Sequence, residues 1–390
     1  MSRVAMVVVR YGPQITGGAE HHARLVAQRL ARRHEVTVLT TCAEDYVSWG
    51  NALPPGQSTD GDVNVRRFEV TAARDLTAFD EAYRPILAGN WTRGDEERFL
   101  RAQGPDCPAL VEHLRSAMSE YDAVVLFTLL YLPTVRGLDV AAARGVLVPT
   151  LHDEPSARLS IQGDALRRAG FVLWNTPEER DLARSLYGHS DGSGAVCGVG
   201  VDAPPRPDAH GARRRHGLDR PYLLYAGRID TEKGCGELVR YVEAWACEDP
   251  RLDLVLIGRA WMPLPDRRRI RHLGFVGDAD RWGLIAGAAA TVVPSRWESL
   301  SMVVLESMAC ATPVLARAGT PVLEGHVRRS GAGILYSGYA EFAEALRRLL
   351  GDPTLGAALG RDGRRYVAAN YTWDRIDALW ERAITTVAGS

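Results

Sequence analysis

At 390 residues, with 46% hydrophobic and 24% charged side chains, the chain exceeds the ~250–300 residues at which one hydrophobic core stops growing, so two globular domains are expected. The net charge of −1 divides as −4 over residues 1–200 and +3 over 201–390, and neither half is basic enough to expect nucleic acid as a partner. Six scattered cysteines form no Cys-x-x-Cys pair and stand at no metal-ligand spacing from a histidine, which argues against a disulfide framework or a zinc module and suits a reducing cytoplasm.

The run Val4–Val9 is too short for a signal peptide and reads as a buried strand. Gly17-Gly18 follows it and precedes a helix expected over Glu20–Arg33. Backbone at a glycine pair can approach a ligand closely, although a plain loop-to-helix entry fits equally. Further strands are expected at Glu35–Thr40, Val63–Phe68, Ala123–Phe127, Val146–Thr150, Phe171–Trp174 and Ala195–Val199, with helices between most of them, the pattern of a parallel sheet. The apolar run Ala123–Leu132 is half the length of a membrane-spanning helix and stops at Pro133, so no such span is expected. Apart from Val63–Phe68, the stretch Ala43–Pro108 reads as long and irregular. Its Tyr46, Trp49, Tyr83 and Trp91 suit either stacking on a ligand ring or burial beneath the loop. His152 lies just beyond the strand Val146–Thr150, where a histidine by itself reads as a structural hydrogen-bonding residue.

Val201–Gly211 is rich in Pro and Gly and reads as a linker. A second alternating series follows: strands at Tyr222–Ala226, Leu252–Ile257, Arg271–Phe275, Ala290–Val293, Val314–Ala316 and Gly333–Tyr336, with helices from Cys235, near Asp280 and from Ser301. The last helical run, Trp373–Val387, has no following strand to cover and is expected to pack back across the linker. The fold class expected is α/β, with two Rossmann-like domains facing a central cleft at their C-terminal strand ends. The divisions expected are 1–203, 204–371 and 372–390, the last returning to the first domain.

Only one of the 47 basic Lys and Arg side chains is lysine, Lys233, in Tyr225-Ala-Gly-Arg-Ile-Asp-Thr-Glu-Lys-Gly234. It stands between a strand and a helix, where free amides and the helix dipole favour an anion, and Arg228 adds a guanidinium suited to phosphate. A compact ammonium is not interchangeable with arginine's planar fork. No Gly-x-Gly-x-x-Gly follows the first strand and no Walker A sequence is present, so neither established phosphate motif competes. Solvated surface positions for Lys233 and Arg228 are the bland alternative.

Between Ala290 and Ala309, a strand ends at Pro294, a loop carries Glu298, and a helix expected from Ser301 carries Glu306 about one and a half turns in. Amides of its first turn, at Ser301, Met302 and Val303, suit a diphosphate or sugar hydroxyls. Carboxylates repel phosphate, so Glu298 and Glu306 make sense there as acceptors from sugar and ribose hydroxyls. Alternatively, Ser295 and Glu298 form a capping box and Glu306 is a solvated helix residue. Against the second, Glu306 is flanked by Val303, Val304, Leu305, Met308 and Ala309, and an ionised Glu is rarely buried without partners.

The Glu-x7-Glu pair Glu298/Glu306, the segment Gly227-Arg228…Lys233-Gly234, and Gly17-Gly-Ala-Glu20 together resemble retaining glycosyltransferases of family 4, which have the GT-B fold. The resemblance implies that Glu298 contacts donor-sugar hydroxyls, Glu306 the ribose, and Arg228 and Lys233 the diphosphate. It also implies that Gly17 and Gly18 contact donor phosphate or acceptor, and that His152 faces the donor sugar. The base is expected at the backbone of Phe275 and Val276. Ala311 stands where the family commonly has glycine, so the backbone there is expected to do without positive φ. Trp49-Gly-Asn, Arg66-Arg-Phe, Gln103-Gly-Pro, His152-Asp-Glu-Pro and Trp297-Glu-Ser-Leu-Ser further resemble a subgroup associated with bacterial surface polysaccharides.

The function implied is transfer of a hexosyl group, with retention, from a UDP- or GDP-sugar to a hydroxyl of a glycan, glycolipid or small natural-product acceptor. Catalysis would be electrostatic and positional, with no cofactor and no metal, in the cytoplasm. Peripheral membrane contact stays open on the acceptor side. A nucleotide-sugar epimerase or hydrolase of the same fold, and a non-catalytic sugar-nucleotide binder, are the alternatives.

Overall fold

The computed structural model describes residues 1–188 and 192–389. The chain forms two compact units, Met1–Val199 with the segment from Ile376 onward, and Gly200–Arg375. No helix among the described residues is long and apolar enough to cross a membrane.

The first unit holds an eight-stranded sheet. Its strands are β1 Arg3–Val7, β2 Glu35–Thr41, β3 Gly56–Asp60, β4 Val63–Phe68, β5 Ala123–Phe127, β6 Gly145–Val148, β7 Phe171–Trp174 and β8 Gly194–Val196. They lie in the order β3-β4-β2-β1-β5-β6-β7-β8, all parallel except the β3/β4 hairpin. Val4–Val7 and every residue of β5 and β6 are buried, as expected of strands covered on both faces. The last helix, Trp373–Ala388, puts Ile376, Trp380, Ala383, Ile384 and Val387 inside this unit, with Trp380 stacked 6.3 Å from Phe127 and Arg29 paired to Asp377 at 3.0 Å.

The stretch 43–108 is not irregular. It contains β3, β4 and the helices Leu76–Leu87 and Arg93–Gln103, capped by Asp75 and by a Thr92/Asp95 capping box. Trp49 is buried, donates Nε1–H to the Gln103 carbonyl at 2.8 Å and lies edge-on to Tyr131; Tyr83 stacks on Phe99 at 5.1 Å. Trp91 bonds Glu96, and Arg10 covers Tyr46. Trp49 is thus a packing residue, and the half-buried Tyr46, Tyr83 and Trp91 also pair within the unit, which favours burial over stacking on a ligand ring.

The second unit has six parallel strands: β9 Tyr222–Ala226, β10 Asp253–Ile257, β11 Ile270–Gly274, β12 Ala290–Val293, β13 Val314–Arg317 and β14 Gly333–Tyr336. The order is β11-β10-β9-β12-β13-β14. Strand order therefore reverses between β9 and β12, which pair through Ala290↔Leu223 and Thr291↔Leu224. Connections leaving these two strands run to opposite sides, so their C-terminal ends border a crevice within this unit, the usual ligand position in such sheets.

Candidate active site

The loops after β9 and β12 carry the predicted residues. After β9, Gly227 leads into Arg228-Ile-Asp230 and a turn that ends at Gly234, which caps the helix Cys235–Glu248. Asp230, buried and absent from the sequence-based site, organises this loop: one carboxylate oxygen accepts from the Lys233 amide at 2.7 Å and the other from Arg228 Nε. Tyr225 donates its hydroxyl to the Arg228 carbonyl at 2.6 Å, and burial holds that phenol well above its usual pKa, so it stays a donor. Both cations are thus set by one aspartate three residues before the lysine. An Asp-x-x-Lys turn opening a helix was a signal available in the sequence.

After β12, the segment from Pro294 to Ser301 is anchored from beneath. Thr320 donates to the Ser295 carbonyl at 2.8 Å, and buried His326 lies 2.8 Å from the Leu300 carbonyl. Glu298 forms no capping box, because the helix begins at Met302 and Ser301 is its N-cap, without a side-chain cap bond. Instead Glu298 Oε1 lies 2.8 Å from Lys233 Nζ, joining the two loops. Ser301 takes φ 61°, and its hydroxyl is buried with no hydrogen-bond partner. Met302 and Val303 follow, half-buried, in the first turn.

Glu306 is buried, and its Oε1 meets Arg281 Nη1 at 2.5 Å. Burial pushes this carboxyl up, and the Arg281 guanidinium opposes that. Arg281 belongs to the helix Asp278–Ala286, which follows Phe275 and Val276; Phe275 is exposed and Val276 half-buried. Nothing in the sequence singled out Arg281 among so many arginines. The helix carrying Glu306 ends at Ala309, and Ala311 takes φ 57°. The expectation that this position avoids positive φ is therefore wrong. The chain closes the helix with Ala311 N–H to Met308 O and Thr312 N–H to Ser307 O, a C-cap geometry that demands a left-handed residue.

Gly17, Gly18 and His152 belong to the first unit. Gly17 caps the helix Gly18–Leu30, and a Cβ there would collide with Glu20, which is buried in an ion pair with Arg10. Gly18 has open space around its Cβ position. His152 follows β6; its Nδ1 is buried without a hydrogen-bond partner, 3.7 Å from Glu154 Oε1. The backbone before it is held by buried Glu179, which accepts from the Leu151 amide at 2.6 Å and from the Asn175 amide. Burial pushes the Glu179 carboxyl from 4.5 up to about 8. A raised folded-state pKa favours folding fully below the unfolded value of 4.5, and that contribution is lost as pH rises towards 8. Glu179→Gln is therefore expected to flatten the fall in unfolding free energy between pH 5 and pH 8, measured by urea denaturation across the range; an identical slope in both chains would count against this role.

Among the described residues, no three His, Cys, Asp or Glu side chains group to hold a metal ion.

Residues 210–366 match the family model "Glycosyl transferases group 1", a span that contains both loops. The chain is 31% identical to the D-inositol 3-phosphate glycosyltransferase of Acidothermus cellulolyticus, over 97% of this chain and 91% of that one. It belongs to the group 1 glycosyltransferases. The glycogen synthase of Mycobacterium tuberculosis is 24% identical over 96% of this chain and 92% of that protein. The crystal structure of Anabaena HepE in complex with UDP and glucose superposes over all of both chains with a TM-score of 0.70 at 16% identity, a likeness of fold. Two Rossmann-like sheets of the GT-B class are thus the architecture of this glycosyltransferase.

Proposed function

We propose that this glycosyltransferase moves a hexosyl group, with retention of anomeric configuration and without a metal, from a UDP- or GDP-sugar to a hydroxyl acceptor. The observation that carries the reading is the junction of Arg228, Lys233 and Glu298 at the β9/β12 switch point, with Asp230 fixing the cationic loop and Glu298 2.8 Å from the ammonium. Arg228, Lys233 and the amides of the helix from Met302 would stabilise the departing nucleoside diphosphate, the charge that develops as the glycosidic bond breaks. Glu298 and Glu306 would accept from sugar and ribose hydroxyls, and the base would meet the backbone at Phe275 and Val276. The UDP named in the HepE structure supports a uridine donor.

Boundaries near residues 203 and 371 would assign the first domain to the acceptor and the second to the donor. Gly17, Gly18 and His152 are given their donor or acceptor roles by family resemblance alone. The acceptor would be a glycan, glycolipid or natural product. By their names the two relatives act on inositol phosphate and glycogen, so they favour a hydroxyl acceptor without favouring the surface-polysaccharide subgroup.

Thermal unfolding with UDP-sugars and GDP-sugars tests the donor. A ligand at 100 times its Kd adds about 2.7 kcal/mol to stability, so one series should raise Tm by several degrees. Rises with neither series would sink the reading. Transfer should proceed unchanged in EDTA, and product mass spectrometry without an acceptor should show intact donor. A new isomer or free sugar would instead identify an epimerase or hydrolase.

A further inference from the structure

The contact between Glu306 and Arg281 is not explained by donor chemistry alone. An arginine on the helix Asp278–Ala286 reaches across to bond a carboxylate on the helix Met302–Ala309. The glutamate side chain is 9% exposed and the arginine 23%. Asp278 lies 3.6 Å from Arg281 Nε, and the guanidinium carbon sits 4.9 Å from the Trp282 ring centroid, so the fork is oriented on more than one side.

A buried carboxyl left alone becomes neutral, and a neutral carboxyl presents a hydroxyl of its own where a ribose hydroxyl needs an acceptor. A cation at 2.5 Å opposes that change. The same bond also fixes the plane of the carboxylate by engaging Oε1, which leaves its geometry toward a sugar to Oε2.

We propose that Arg281 is a positioning residue for nucleotide recognition: by bonding Oε1 of Glu306 it orients Oε2 to accept from a ribose hydroxyl, and so makes the site select ribonucleotides over their deoxy counterparts. The inference rests on the donor reading above and adds to it the residue that sets the sugar preference of the nucleotide. A site built to bond a hydroxyl rejects the analogue that lacks it, because its own polar group is then left unpaired.

The test is calorimetric titration of the full chain and its variants with UDP and GDP, and with the 2′-deoxy and 3′-deoxy forms of whichever binds. The unaltered chain should prefer the ribonucleotide over one deoxy form by about tenfold or more, the scale of one hydrogen bond to a charged group. Arg281→Met should weaken the ribonucleotide about tenfold and the discriminated deoxy form much less, collapsing the ratio. Arg281→Lys should restore part of it. Glu306→Gln should lose the same discrimination, because the acceptor itself is changed. Should Arg281→Met fail to fold, Arg281→Lys carries the test through a reduced ratio.

A merely structural role for Arg281 would lower both affinities in parallel, and an unchanged ratio overturns the proposal while leaving the donor reading intact. Absence of discrimination in the unaltered chain overturns it as well. Failure of the unaltered chain to bind either UDP or GDP sinks both readings, and is recognised by that alone.

Discussion

Lys233→Ala is expected to lower kcat/KM for sugar transfer by about 10²–10³-fold, the cost typical of removing one preorganised group that stabilises developing negative charge. The basis is positional. The Lys233 amide is fixed by Asp230, and its ammonium is held 2.8 Å from Glu298 and 3.4 Å from the Trp297 carbonyl. Lys233→Arg should recover only a minor part, because a planar fork cannot occupy the place of a compact ammonium between these oxygens. The ion pair adds a second expectation. A diphosphate must compete with Glu298 for the ammonium, so Glu298→Gln should bind the nucleoside diphosphate alone more tightly by several-fold, while turning over the nucleotide sugar more slowly. Such opposite signs separate a ligand-binding pair from a merely structural one. Steady-state kinetics and titration with UDP measure both, and wild-type transfer by Lys233→Ala would end the phosphate assignment.

The second large effect is expected at Gly234. Its φ of 78° is left-handed, which costs an L-residue about 1–2 kcal/mol, and a Cβ would collide with the Pro294 carbonyl. The helix entrance therefore touches the start of the Glu298 loop through hydrogen atoms alone. Gly234→Ala must push apart the two segments that Lys233 and Glu298 bridge. Overpacking of this kind typically adds 1–3 kcal/mol, so a total loss of about 2–4 kcal/mol of stability is expected, with transfer below about a tenth of normal. Gly351→Ala is the control: no atom lies within 4 Å of a Cβ at that position, φ is not positive, and the residue ends a helix. Denaturant titration and transfer assays read the pair. Equal behaviour of the two variants would show that the loops do not depend on this close approach.

What could be read beforehand follows from how strongly each feature marks the chain. Buried parallel strands are nearly continuous apolar runs, so Ala123–Phe127, Tyr222–Ala226 and Ala290–Val293 stood out with their observed bounds. β3, Gly56-Gln-Ser-Thr-Asp60, carries no apolar side chain; its hairpin with β4 and the bonds of Asp60 to Arg24 hold it, and neither leaves an alternating pattern. The helix Leu76–Leu87 was obscured by Pro85, and Arg93–Gln103 by its run of charges, although both carry good N-caps.

In the site, Lys233 and Glu298 were legible because a lone lysine at a helix entrance and a glutamate ahead of an apolar helix are unusual. Asp230 left only its turn spacing ahead of Lys233, and Arg281 left no mark at all, because its role is a contact between two helices separated by a strand. Ala311 shows the opposite failure. A residue-type preference argued against left-handed backbone, and the helix ending at Ala309 required it regardless.

The solitary ammonium beside Glu298 has a practical consequence. Its side chain is 31% accessible, and no other lysine exists anywhere in the chain to compete for an amine-directed reagent. Acylating chemistry therefore has the α-amino group and this one position as its targets. The protein carries a built-in attachment point for a reporter at the mouth of its helix, where ordinary proteins would first need their surface lysines removed by mutation.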